Sequence, residues 1–91
     1  MGKRAEEFLQ QSINTLEMRA KERGLEYENS MISTIGMFNL LTKTHLTESD
    51  GYLLMLLLKL ARNFSGFKED DLVDLIAYSA LFAEERSKNN G

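Results

Sequence analysis

No cysteine, proline or tryptophan occurs among the 91 residues, and histidine occurs once. The lack of cysteine removes any disulfide framework, any thiolate zinc site and any thiol nucleophile, a pattern that suits a reducing compartment. A small domain without such staples depends on packing, a partner subunit or a bound ligand for its stability. The lack of proline, where about 5% is average usage, favours long uninterrupted helices over turn-rich β structure. Long apolar runs are missing too: the longest, Leu53 to Leu58, has six residues, whereas about 20 are needed to cross a bilayer. The opening MGKRAEEF carries no apolar stretch behind its basic start, so no secretory signal is expected and the cytoplasm is the expected location. Basic charge is also short. With 11 Lys+Arg against 14 Asp+Glu and a net charge of -3, coating nucleic acid is not the main task, because phosphate binding needs a surplus of cations on one surface.

What is present reads as a single all-α domain over residues 1–91, a compact bundle of about four helices. The first helix is expected over about 3–23, where Leu9, Ile13, Leu16 and Ala20 repeat at helical spacing and Ala5 and Phe8 widen the stripe. Gly24 is a natural stop. Leu25 to Asn29 reads as a connection, and Asn29 or Ser30 is a candidate N-cap for a second helix over about 31–43 that contains no acid. Gly36 in that helix marks an expected close helix–helix contact. Thr47-Glu48-Ser49-Asp50 has the form of a capping box for a third helix over about 48–64. That helix, Tyr52 to Ala61 above all, is apolar nearly all the way round, which places it in the centre of the bundle or between subunits. The fourth helix is expected over about 69–86, with Leu72, Ile76, Ala80 and Ala83 on one strip, and 87–91 as a frayed tail. The chain is too short to bury a large core, so a homo-oligomer, dimer or larger, is the expected state.

Chemistry has few places to sit. Glu69, Asp70, Asp71 and Asp74 crowd one helix start, and Asp71 and Asp74, at i and i+3, can project from one face. Paired carboxylates of this kind suit Mg²⁺, while acids in a first turn are also ordinary capping. Lys59 and Arg62 interrupt the most apolar helix at the same spacing, and each must reach solvent, an acid or an anion. Two readings follow: an interior ion-pair network with Asp71 or Asp74, or a mixed site with metal on the carboxylates and phosphate on the cations. His45, in a threonine-rich connection without an acidic or histidine partner, reads as a solvated loop residue. Tyr27 could cover a base or staple the bundle.

Three segments, Glu22-Arg-Gly-Leu-Glu-Tyr27-Glu, Leu56-Leu-Leu-Lys-Leu-Ala-Arg62 and Asp70-Asp-Leu-Val-Asp-Leu-Ile-Ala-Tyr78-Ser-Ala-Leu81, together resemble a group of small phage and prophage proteins of unassigned function. That group is itself similar to the all-α NTP pyrophosphatases of the MazG-like superfamily. The resemblance spans roughly 20–85. It implies a helical bundle that assembles as a dimer or larger oligomer and, in the enzymes, Mg²⁺-dependent hydrolysis of nucleoside triphosphates to monophosphate and pyrophosphate. It also points to a nucleotide, or a host or phage protein, as partner. The enzymes hold their metal with one Glu-x-x-Glu and one Glu-x-x-Asp pair on neighbouring helices. Asp71-Leu-Val-Asp74 looks like the second pair, which would leave Lys59 and Arg62 for phosphates and Tyr27 for the base. No Glu-x-x-Glu occurs between Gly24 and Thr47. Among the acids near it, Glu22, Glu26 and Glu28, Glu28 is a further metal candidate. With half of the enzymes' ligand set missing, the expectation is a non-catalytic interaction or regulatory protein, with the pyrophosphohydrolase or nucleotide-binding protein as the alternative.

Overall fold

The structure, a computed structural model, describes residues 2–23 and 26–90, the side chains of 22–29, 89 and 90 excepted. Four helices follow one another: α1 Ala5–Arg23, α2 Glu26–Thr42, α3 Glu48–Asn63 and α4 Glu69–Asn90. Among the described residues there is no strand. The all-α expectation holds.

Helix α4 is the hub. It packs most extensively along α3 and then along α1, while α2 leans only on the start of α3 and touches α1 lightly. Val73 and Ala77, one helical turn apart, are the buried apolar residues of α4, and Ala77 lets its neighbours approach closely because it is a single methyl. Ala80 and Ala83, expected on the inner strip, are exposed. The long apolar helix α3 is not central within one chain. Its Leu53, Leu54, Leu57, Leu58 and Leu60 are 38–66% exposed, and only its Tyr52 edge is buried.

The side of α1 that meets α4 is only partly the leucine stripe: Leu9 joins Ala5 and Phe8 in an apolar groove with Leu72, Leu75 and Ile76 of α4. Leu9 and Ile13 are about half exposed, and the inward residue is Ser12, whose hydroxyl lies 2.9 Å from the Val73 carbonyl and 3.0 Å from that of Phe8. A small polar side chain allows the two backbones to come close, and its hydroxyl is satisfied on arrival.

Helix α2 starts about five residues earlier than its expected first residue. Glu26 and Glu28 stand at its start, where negative charge suits the positive end of the dipole, so no neutral cap at Asn29 or Ser30 is needed. The Gly24 stop lies outside the described residues. Helix α2 ends at Thr42, and Lys43 just past it takes φ 56, while the Thr44 N–H donates to the Asn39 carbonyl at 3.2 Å. This is the closure usually made with glycine in the left-handed position. The close approach expected at Gly36 occurs at Gly51 instead. Gly36 has open space around it, whereas a Cβ at Gly51 would collide with Met31 Sδ and come within 3.0 Å of Ile35 Cδ1.

The capping box at α3 forms as expected: Asp50 N–H donates to Thr47 Oγ1 at 3.3 Å and Thr47 N–H donates to Asp50 Oδ2 at 2.8 Å. Gly66, at φ 155, turns the chain toward α4. Helix α4 continues through the expected tail to Asn90. No breaker stands before Gly91, and a Lys88–Glu85 pair at 3.2 Å supports the last turns.

Candidate functional site

Helices α3 and α4 are joined by the short connection 64–68, so the end of α3 runs antiparallel beside the start of α4. That arrangement brings together the two i, i+3 pairs singled out in the sequence. The Lys59 ammonium sits between the carboxylates, 3.5 Å from Asp71 Oδ1 and 3.2 Å from Asp74 Oδ2. Arg62 Nε lies 3.1 Å from Asp71 Oδ2. On the other flank, Arg19 of α1 donates to Asp74 Oδ1 at 3.1 Å.

Each carboxylate therefore meets two cations, and Lys59 is common to both. Asp71 is 4% exposed, so its charge depends on these partners, because an uncompensated carboxylate at that depth would be costly. Its Oδ2 has the charge contact with Arg62 but no aligned hydrogen bond. The guanidinium of Arg62 is half exposed and edges a polar cleft of about 300 Å³ shared with Lys68, Glu69, Asp70 and Asp71.

Arg19 was not among the residues expected at this site. Its guanidinium also lies over the Tyr78 ring, 5.6 Å from the centroid, a favourable cation–π distance. The available signal was the row Phe8, Ser12, Thr15 and Arg19 at i, i+4, i+7 and i+11, a mostly polar line beside the more obvious leucine stripe. Of the other candidates, Asp70 and His45 are exposed. Glu69 turns to α1 and the N-terminal residues, where it meets the Lys3 ammonium and accepts from Gln11 Nε2 at 3.4 Å. The hydrogen bond from Lys3, helped by Gln11 and opposed by partial desolvation, holds the Glu69 carboxyl below the ordinary carboxylate range. Tyr27 and Glu28 lie in the first turn of α2, and their side chains are outside the described residues.

These residues do not fit a Mg²⁺ centre. The space between Asp71 and Asp74 is taken by the Lys59 ammonium, and among the described residues no group of three or more His, Cys, Asp or Glu side chains could hold a metal ion. An oxygen-ligated cation needs several converging oxygens, whereas cations outnumber acids here. The cluster can brace three helices against one another, and it presents one half-exposed guanidinium to solvent.

The model of a family described as a domain of unknown function, DUF6378, matches residues 7–86. The chain belongs to that family. None of the curated proteins and none of the solved structures matches it. The matched DUF6378 span contains all five members of the ion-pair cluster and most of the length of the four helices. No helix among the described residues is long and apolar enough to cross a membrane.

Proposed function

We propose that this protein is a non-catalytic helical interaction or regulatory protein, of the phage type and of MazG-like ancestry, acting in the cytoplasm. The ancestry rests on the three sequence segments that resemble those proteins, and the loss of activity rests on one geometric observation: Lys59 lies between the two carboxylates that an enzyme of that kind would turn toward a metal. An ammonium so placed neutralises the acids and fixes α3 on α4. Function then belongs to the helix faces the cluster holds in place, toward a host or phage protein or a further copy of the chain.

The test is release of pyrophosphate from a panel of ordinary and modified nucleoside triphosphates with Mg²⁺ or Mn²⁺, alongside the Tm of the protein with each nucleotide. No release and no rise in Tm are expected. Turnover that disappears in Asp74→Asn would overturn the proposal in favour of the pyrophosphohydrolase reading, with Asp71 and Asp74 toward metal and Lys59 and Arg62 toward phosphate. A rise in Tm without turnover, lost in Arg62→Ala, would instead indicate a nucleotide-binding protein.

A further inference from the structure

We propose that Met31 is an oxidation site that controls the docking of α2 on α3, with hydrogen peroxide as the oxidant and the methionine sulfoxide as the undocked state.

The chain offers an oxidant no thiol, so its five methionine thioethers are the only sulfurs open to attack. They are not equivalent. Met18 and Met37 stand on the surface, 58% and 62% exposed. Met31 is half-buried, with its Sδ against Gly51 in the space where any other residue would carry a Cβ. Ile35, one turn further along α2, enters the same recess, its Cδ1 3.0 Å from that Cβ position. Among the described residues it is the one buried apolar side chain of α2.

These two side chains seat α2 on the start of α3. Little else holds the helix there, since it touches α1 only lightly, whereas α3 is fixed to α4 by the Lys59 pairs with Asp71 and Asp74. The Asn39 side chain ties the far end of α2 to Leu46, so the Met31 end is the one that lifts. A loosely held segment beside a firmly held one opens locally without global unfolding.

The chemistry follows from where the sulfur sits. When the Met31 end lifts, a sulfur lone pair attacks one oxygen of the peroxide, and the S–O bond forms as the O–O bond breaks. The departing hydroxide takes the proton left on the transferred oxygen and leaves as water. Sulfur is oxidised by two electrons and the peroxide is reduced by the same two. The product is a branched, polar sulfoxide, and the recess does not readmit it. Gly51 is already in contact with the unmodified thioether, so an added oxygen overpacks the site. The nearby backbone donors are engaged as well. The Asp50 N–H donates to Thr47 Oγ1 at 3.3 Å and the Gly51 N–H to the Thr47 carbonyl at 3.2 Å, which leaves the oxygen buried without a donor. Oxidation therefore holds the Met31 end away from α3. The apolar groove of about 320 Å³, lined by Ile35 and Phe38 of α2 together with Leu53, Leu54 and Leu57 of α3, comes apart with it. Repair falls to an external methionine sulfoxide reductase.

The full chain is treated with hydrogen peroxide while sulfoxide at each methionine is followed by peptide mass spectrometry and amide exchange is followed by segment. Met18 and Met37 should oxidise first, without effect on exchange. Oxidation at Met31 should then speed exchange over 31–38 by at least about tenfold, while α4 changes by less than about twofold. Incubation with methionine sulfoxide reductases should restore slow exchange. Met31→Leu keeps the volume and should abolish the response, whereas Met37→Leu should preserve it. A second readout does not depend on the leucine variant: Gly51→Ala puts a methyl where the sulfur sits and should raise the oxidation rate of Met31 to that of Met37. Full sulfoxide at Met31 with unchanged exchange, an undiminished response in Met31→Leu, or an unchanged Met31 rate in Gly51→Ala would each overturn the proposal.

Discussion

The two flanks of α3 are built in opposite ways. Toward α4 it presents Lys59 and Arg62 to buried and half-buried carboxylates, so the interior of the chain holds an ion-pair cluster. Away from α4 it presents leucines that are 38–66% exposed. A monomeric domain ordinarily keeps its charges outside and its leucines inside. The contrast teaches that specific polar contacts position the helices, while much of the apolar surface of α3 stays uncovered in the single chain. An ion-pair seam of this kind sets register and orientation more than it adds net stability, because desolvation offsets much of the attraction.

Substitutions can break or sharpen this contrast, all read by denaturant unfolding at one fixed protein concentration. The largest effect is expected at the seam: Asp71→Ala should destabilise by about 3–5 kcal/mol, because Lys59 and Arg62 lose a buried partner together. Gly51→Val should cost about 1–3 kcal/mol by forcing Met31 and Ile35 of α2 away from α3. If the two flanks are separate devices, the double variant should be additive within about 0.5 kcal/mol, and a larger coupling would show that the seam and the apolar side act as one unit. Ser12→Ala should cost about 1 kcal/mol through loss of the hydroxyl contact between α1 and α4. Lys43→Gly should stabilise by about 1 kcal/mol, since φ 56 is a conformation that glycine adopts freely.

The smallest effect concerns pH. The Glu69 carboxyl is held below its ordinary value by Lys3, so its contribution is present above the unfolded pKa and disappears as the pH falls through the lower folded one. Lys3→Ala should move the Glu69 titration, followed by NMR, back toward the ordinary glutamate value of 4.5, with little change in stability at neutral pH.

Much of the fold was legible because it is written in local chemistry. The Thr47–Asp50 box and the two i, i+3 pairs that meet across α3 and α4 are short-range patterns. The errors have a common physical origin. Periodicity reports which side of a helix is apolar, but it does not say which side the nearest neighbour takes when the chain has more apolar surface than it can cover. Hence α1 turns Ser12 inward and leaves Leu9 and Ile13 at the surface, and Arg19, far from α4 in sequence, was missed. Gly36 and Gly51 are indistinguishable by propensity, and only the crossing of α2 over α3 decides which one needs to lack a side chain. The start of α2 was placed late because a connection and an acidic first turn share the same residues.

The connection between α2 and α3 carries one more consequence. Asn39 donates to the Leu46 carbonyl at 2.9 Å, and its Oδ1 accepts from Thr44 Oγ1 and Leu46 N–H, each at 2.9 Å. One amide thus splints the hinge between α2 and α3, directly before the Thr47 cap. An opposing surface would meet a wedge whose angle is already set. Little freedom would be lost on contact, so an assembly on this side should be assisted by rigidity as well as by area.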